Sequence, residues 1–303
     1  MKSVDIKNVL IVGAGTMGQQ ITVPCVIHGM NVVLYDIENG MLQKALARIR
    51  KMLDGFVKWQ KITAAEADAA MARIRTTTDL ADAAKNADIV SESVPEDPKL
   101  KGEIFAKIHA ACPERTIFTT NTSTLLPSMF ADATGRPEKL AALHFHDVRI
   151  STIVDVMPHP GTAKETVELV RDFAVRIGQT PIVMERQSPG YVFNFMLSNL
   201  FQSAQTLAAN DVASVEDIDR SWMGVTHMPS GPFGIMDSVG LDTVWKITNY
   251  WAQILKNPQQ IKNAEFMKQY VDRGHLGEKT GQGFYKYPKP RFRDPDFISG
   301  GWK

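Results

Sequence analysis

The sequence predicts an α/β domain, a doubly wound and mostly parallel sheet with helices on both faces, followed by an all-α domain. Three observations predict it. Short apolar strands alternate with helix-length segments through the first half. A glycine-rich turn joins the first strand to the first helix. Beyond a polar Pro/Gly segment near residue 188, apolar residues recur only at helical spacing.

Strands are expected at 8–12, 31–35, 88–92, 116–119 and 140–145, with another around 151–157. Helices are expected at 17–29, 39–56, 64–73, 98–109, 125–131 and 163–176. The stretch from Leu42 to Ala72 is charge-rich, with Lys44, Arg48, Lys51, Lys58 and Lys61, and reads as solvated helix faces or as a ligand-contacting arm. Arg186-Gln187-Ser188-Pro189-Gly190 marks a boundary, giving domains of 1–187 and 188–303. In 191–209, Val192, Phe193, Met196, Leu197, Leu200 and Phe201 recur as on a helix. Ser214-Val215-Glu216-Asp217 resembles a capping box, and helices follow at about 241–255 and 257–273. So much apolar helix surface suggests a homodimer through the second domain; the alternative is a self-contained bundle.

Composition narrows the function. With 34 basic and 33 acidic side chains among 303 residues, the formal net charge is +1. Such a balance sets up no field to draw in nucleic acid or an anionic membrane. No run approaches the ~18 apolar residues of a membrane span. Cys25 and Cys112 give neither a disulfide framework nor metal-ligand spacing, so no metal is expected. Met1-Lys2-Ser3-Val4-Asp5 leads straight into the first strand without room for a signal peptide, and a cytoplasmic enzyme is the expectation.

The first turn carries the strongest chemical signal. Val9-Leu10-Ile11-Val12 is a buried-strand pattern, and Gly13, Gly15 and Gly18 follow at G-x-G-x-x-G spacing. Gly13 permits the tight turn, Gly15 lets the backbone approach a pyrophosphate, and Gly18 lets the helix pack close. Thr16 and Met17 open that helix, whose N-terminus offers N–H groups to phosphates. The second strand, Asn31 to Tyr35, ends at Asp36, 18 residues past Gly18. A carboxylate there accepts hydrogen bonds from both ribose hydroxyls and repels a 2′-phosphate, so NAD is the expected cofactor, held by a Rossmann-type domain. A plain βαβ unit with a tight turn leaves the coincidence of Asp36 and the glycines unexplained.

A dehydrogenase acting on an alcohol needs a base for the hydroxyl proton, and histidine suits. Of seven histidines, the pair in Leu143-His144-Phe145-His146-Asp147 ends a strand at the sheet edge expected to border the nicotinamide. Alternation puts His144 and His146 on one face. Asp155 follows eleven residues after His144 on an apolar strand, where an acid is costly unless paired. Pairing with His144 would fix its tautomer and stabilise the imidazolium; a salt bridge from Asp155 to Arg149 is the alternative. The polar loops Thr119 to Thr124 and Ser93 to Asp97 end strands and either line a ligand crevice or serve as turns and caps.

With these motifs in place, the chain resembles the NAD-dependent 3-hydroxyacyl-CoA dehydrogenase family, which also includes carnitine dehydrogenase and the gulonate dehydrogenase/λ-crystallin branch. The resemblance spans nearly the whole chain. It implies that Gly13, Gly15, Gly18 and Asp36 form the cofactor fingerprint and that Glu96, Lys101, Asn121 and Lys279 are further cofactor contacts. It implies His144 as catalytic base, Ser123 near the substrate hydroxyl and Asn194, in Ser188-Pro189-Gly190-Tyr191-Val192-Phe193-Asn194, as a substrate-orienting amide. Ser230-Gly231-Pro232-Phe233-Gly234 and Gly281-Gln282-Gly283-Phe284-Tyr285 match second-domain signatures. The chain departs from the family where Asp155 replaces a glutamate one residue further on. His146 and Arg149 replace asparagine and apolar neighbours near the substrate. Met52 and Trp59 fall where acyl-CoA enzymes contact CoA, with Lys58 and Lys61 close by. The expected reaction is reversible oxidation of a short 3-hydroxyacyl-CoA. The alternatives are a small free 3-hydroxy acid gripped by Arg149, or a non-catalytic NAD-binding protein of the λ-crystallin kind.

Overall fold

The computed structural model describes residues 2–300, and the chain divides into two compact units between Val192 and Phe193. Among the described residues, the first unit carries one eight-stranded sheet in the order β3-β2-β1-β4-β5-β6-β7-β8. The strands are β1 (Asn8–Val12), β2 (Asn31–Tyr35), β3 (Ile74–Thr77), β4 (Ile89–Glu92), β5 (Ile117–Thr120), β6 (Leu140–Phe145), β7 (Ile153–Pro158) and β8 (Thr180–Val183). Strands β1 to β6 run parallel; β7 is antiparallel to β6, and β8 is parallel to β7. This is the expected doubly wound, mostly parallel sheet.

Alternation along the strands serves two helical layers. Val9 and Ile11 of β1 face the core shared with α1 (Thr16–Ile27), α2 (Asn39–Lys58), α3 (Ala64–Met71) and, further along, α6 (Lys164–Arg176). Leu10 and Val12 face the core built by α4 (Leu80–Ala84) and α5 (Pro98–Ala111), where Phe105 stacks on Phe118 at 5.3 Å. From β1 the chain winds outward through β2 and β3, then returns to β4 on the other side. The carboxyl ends of β1 and β4 therefore flank the switch point where such sheets hold ligands.

In the first unit, strands β3 and β8 and helix α4 were not expected, and one expected helix takes another form. Strands β3 and β8 lie at the sheet edges and carry Arg75 and Pro181, which mask a strand pattern. The helix expected at 125–131 is a pair of short 3₁₀ turns, Pro127–Met129 and Asp132–Thr134. Thr122 Oγ1 accepts the Leu125 N–H, and Pro127 supplies no N–H to extend a helix.

The second unit is helical: α7 (Phe193–Ala209), α8 (Val215–Thr226), α9 (Pro232–Val239), α10 (Leu241–Leu255) and α11 (Pro258–Asp272). Its core includes Phe201, Met236, Leu241, Met267 and Phe297. Two buried acids explain its glycine signatures. Asp219 accepts the Phe233 and Gly234 N–H groups at the start of α9 and the Tyr285 hydroxyl. Asp237 accepts the Phe284 and Tyr285 N–H groups and the Tyr287 hydroxyl. A side chain at Gly231 would strike Asp219 at 2.4 Å, and one at Gly283 would strike Asp237 at 1.9 Å. The signatures are thus sockets for two carboxylates.

Candidate active site

Beyond β1, Gly13 turns the chain with φ of +100°. A Cβ at Gly13 would lie 2.7 Å from the Ser93 oxygen, and one at Gly18 would lie 1.9 Å from the Gly13 oxygen. A Cβ at Gly15 would meet nothing within 4 Å, so open space lies over the turn. Thr16 and Met17 start α1 directly after it, where the first N–H groups have no intrahelical partner. Asp36 accepts the Ala14 N–H on Oδ2 at 2.8 Å and the Glu38 N–H on Oδ1 at 3.0 Å. Each oxygen keeps a lone pair for a ribose hydroxyl. The buried Ser93 hydroxyl, just past β4, has no hydrogen-bond partner among the described residues. Space over Gly15, an anchored carboxylate and an unsatisfied hydroxyl at the switch point fit NAD.

On the other side of the switch point, His144 and Asp155 sit directly opposite each other in the antiparallel β6–β7 ladder. His144 Nδ1 lies 3.3 Å from Asp155 Oδ2, and Ser123 Oγ lies 3.4 Å from His144 Nε2. Both members of the pair are buried, at 3% and 1% exposure. His146, just past the end of β6, places Nε2 3.3 Å from the same Asp155 oxygen. Burial pushes the Asp155 carboxyl up, but the hydrogen bonds and charges of His144 and His146 outweigh it and hold it below its ordinary value. Donor atoms of the three side chains lie within 4.8 Å of one another. The shared carboxylate accounts for that clustering without an ion.

The loop bearing Ser123 is held by an ion cluster in which Glu92 and Lys101 are buried and Glu96 is exposed. Glu96 accepts from Thr122 Oγ1 at 2.8 Å and from the Ser123 N–H at 2.5 Å. Lys101, expected at the cofactor, is 1% exposed and directs Nζ to Glu92 at 2.7 Å, to the Val94 oxygen at 3.2 Å and toward Glu96 at 3.4 Å. Two of its protons are thus hydrogen-bonded, and Glu96 adds a charge contact. Glu92, fully buried, also accepts Thr120 Oγ1 and the Val94 N–H. Burial pushes its carboxyl up against the pull of Lys101. Asn121, also expected at the cofactor, spends its Oδ1 on the Phe145 N–H at 2.8 Å and so joins the ends of β5 and β6.

Arg149 is exposed and grips its neighbour Asp147 with Nε at 2.8 Å and with a second guanidinium nitrogen. Asn194 lies half-buried in the first turn of α7, and Lys279 is exposed, with Nζ on Asp242 at 2.5 Å; both belong to the second unit. Sequence reasoning missed Tyr191, Glu92 and Gln20. The Tyr191 ring stacks on His144 with centroids 4.4 Å apart, and its hydroxyl donates to the Thr122 oxygen. Gln20 Oε1 accepts the Val148 N–H and ties the segment after β6 to α1. Glu92 was detectable, as an acid two residues past the β-branched pair Ile89-Val90 of an expected strand.

Comparison with known proteins gives the family. Residues 8–187 match the model of the 3-hydroxyacyl-CoA dehydrogenase NAD binding domain, and 190–287 match that of the 3-hydroxyacyl-CoA dehydrogenase C-terminal domain. The mitochondrial hydroxyacyl-coenzyme A dehydrogenase of Rattus norvegicus is 34% identical over 293 residues, covering 94% of this chain and 93% of that one. The structure of (S)-3-hydroxybutyryl-CoA dehydrogenase from Ralstonia eutropha superimposes with a TM-score of 0.84 at 33% identity, over 94% of this chain and all of the other. A diketoreductase, described as acting on dicarbonyl compounds, gives 0.86 at 39% identity over 93% of this chain and 99% of that one. The chain belongs to the 3-hydroxyacyl-CoA dehydrogenase family, NAD-dependent oxidoreductases that act on a CH–OH group.

Proposed function

We propose that the chain catalyses the reversible NAD-dependent oxidation of a short 3-hydroxyacyl-CoA, of the 3-hydroxybutyryl-CoA kind, to the 3-ketoacyl-CoA. The observation that carries this reading is His144 set between Asp155 and Ser123, at the sheet edge where the strands that bear the glycine turn and Asp36 also end. In this mechanism His144 Nε2 takes the hydroxyl proton while Asp155 holds Nδ1–H and stabilises the imidazolium. Bound NAD supplies the hydride acceptor for the same carbon. Ser123 Oγ holds the reacting oxygen, a role in which one donor is worth about 3 kcal/mol. Glu96 and Lys101 keep the Ser123 loop in place, and His146 borders the substrate.

A second reading, a small free 3-hydroxy acid, draws on the likeness to the diketoreductase. It requires Arg149 to exchange Asp147 for a substrate carboxylate through a bidentate pair. NAD reduction measured with 3-hydroxybutyryl-CoA, free 3-hydroxybutyrate, carnitine and gulonate decides between them. The CoA ester is expected to have the highest kcat/KM and to be indifferent to Arg149→Ala. A free acid with the higher kcat/KM, whose KM rises in Arg149→Ala, would replace the first reading with the second. His144→Asn is expected to bind NADH and turn over neither substrate.

The assembly proposed is a homodimer through the second unit, supported by exposed Phe195 and Met196 on α7 and Ile247, Trp251 and Ile254 on α10. The setting proposed is the cytoplasm, supported by the unpaired thiols of Cys25 and Cys112. No helix among the described residues is long and apolar enough to cross a membrane.

A further inference from the structure

Tyr191 touches both halves of the chemistry. Its ring lies parallel to the His144 imidazole, with centroids 4.4 Å apart and planes 9° apart. Its hydroxyl donates to the backbone oxygen of Thr122, the residue before Ser123, at 2.5 Å. The side chain is 2% exposed, and burial together with Glu96, Asp155 and Glu92 pushes the phenol well above its ordinary pKa, so the hydroxyl stays a donor. The backbone at Tyr191 has φ of +54°, a left-handed conformation that costs a residue with a side chain. Such strain persists where the surroundings over-determine it, and it clusters at functional sites.

We propose that Tyr191 is a positioning residue for the base. Its ring clamps one face of His144 and favours the imidazolium formed during alcohol oxidation, and its hydroxyl sets the Ser123 loop at the distance His144 requires. The imidazole is then fixed on four sides. Asp155 of β7 meets Nδ1, and Ser123 of the loop after β5 meets Nε2. His146 of the segment after β6 meets the ring at 83°, and Tyr191 covers a face. The charged and titratable groups around this packing are Asp155 of β7, His146 after β6, Glu92 of β4, Glu96 of the following loop and Lys101 of α5. An aromatic face favours a cation over a neutral ring, so the stack supports the imidazolium that forms in the reaction. One backbone position thereby controls the tilt of the base and the reach of the serine.

This proposal rests on His144 being the base, and two variants separate the ring from the hydroxyl. Tyr191→Phe keeps the stack and loses the tether to Thr122. We expect kcat for 3-hydroxybutyryl-CoA to fall about fivefold, KM for NAD to hold, and the acid limb of the kcat/KM profile to stay in place. Tyr191→Leu loses both, and kcat should fall about 30-fold. Its acid limb should move to lower pH by about half a unit, because the imidazolium has lost its aromatic face. NADH binding followed by fluorescence confirms that each variant is folded. An acid limb that stays put in Tyr191→Leu, or a rise in KM for NAD at unchanged kcat in either variant, would overturn the proposal. Should Tyr191→Leu fail to fold, Tyr191→Phe decides alone: wild-type kcat there rejects the tether, and with it the proposal. Failure of the underlying reading shows separately, as turnover by His144→Asn.

Discussion

Asp36 and Ala14 are joined by a hydrogen bond of 2.8 Å that ties the end of β2 to the glycine turn after β1. The carboxylate proposed to select the ribose therefore also stiffens the turn proposed to receive the pyrophosphate. Asp36→Ala is expected to raise KM for NAD about tenfold or more, since a hydrogen bond to a charged group contributes about 1.5–3 kcal/mol. It should also relax discrimination against NADP, because the charge that repels a 2′-phosphate is gone. Initial rates with both cofactors measure this, and an unchanged NAD/NADP preference would remove Asp36 from the ribose site.

Gly15 and Gly18 should fail in different ways. A methyl at Gly18 collides with the Gly13 carbonyl, whereas one at Gly15 enters open space. Gly18→Ala should lose about 1–3 kcal/mol of stability. Gly15→Ala should melt with the wild type yet lose NADH affinity, because its methyl occupies the approach of the pyrophosphate. Thermal melting and NADH titration on both variants test the pair; equal melting losses would contradict the assignment.

Lys101 offers a test of positioning against contact. Breaking a buried ion pair by removing one partner costs about 3–5 kcal/mol. Lys101→Met should therefore be strongly destabilised, and Lys101→Met/Glu92→Gln should recover much of the loss. A direct cofactor contact would behave in the opposite way, with a higher KM for NAD in a protein of normal stability. Urea melts with NAD kinetics distinguish the two.

Asp219 should give the second unit an acid-side stability. Burial raises its carboxyl to about 6, against about 4 in an unfolded chain. A group raised on folding favours the folded state most below its unfolded pKa, and that contribution is lost as pH climbs through the folded one. Between about pH 4 and 6 the wild type should lose about 2–3 kcal/mol relative to Asp219→Asn. Melting curves of the two proteins across that range should converge or cross as pH rises; parallel curves would contradict the raised carboxyl.

Some of this was legible in the sequence because it is local. The glycine spacing, Asp36 and the strand–helix–strand frame depend on residues close in the chain. The geometry of His144 and Asp155 was readable for a related reason: period-two alternation plus a short connection leaves few registers. Lys101 was not readable in the same way. Between Leu100 and Gly102 on a helix it looks like a solvent-facing cation, and only the return of Glu92 at the end of β4 makes it a buried one. Tyr191 carried no local sign of its role, since its ring meets a histidine 47 positions earlier through tertiary packing and an unusual φ. The Arg149–Asp147 pair was not readable either, because both residues lie in the irregular turn after β6, where neither helix nor strand periodicity applies.

The antiparallel pairing of β6 with β7 separates two evolutionary jobs. His144 and Asp155 are rungs of one ladder, so the segment from 147 to 152 can lengthen, shorten or change composition without displacing the pair, provided the strand register and His146 are kept. Recognition can thus be rewritten in a hairpin while proton transfer stays anchored in the sheet. For an engineer, this hairpin is a graft site: exchanging it between relatives of different substrate preference should move specificity in one step and leave the hydrogen-bonded pair intact.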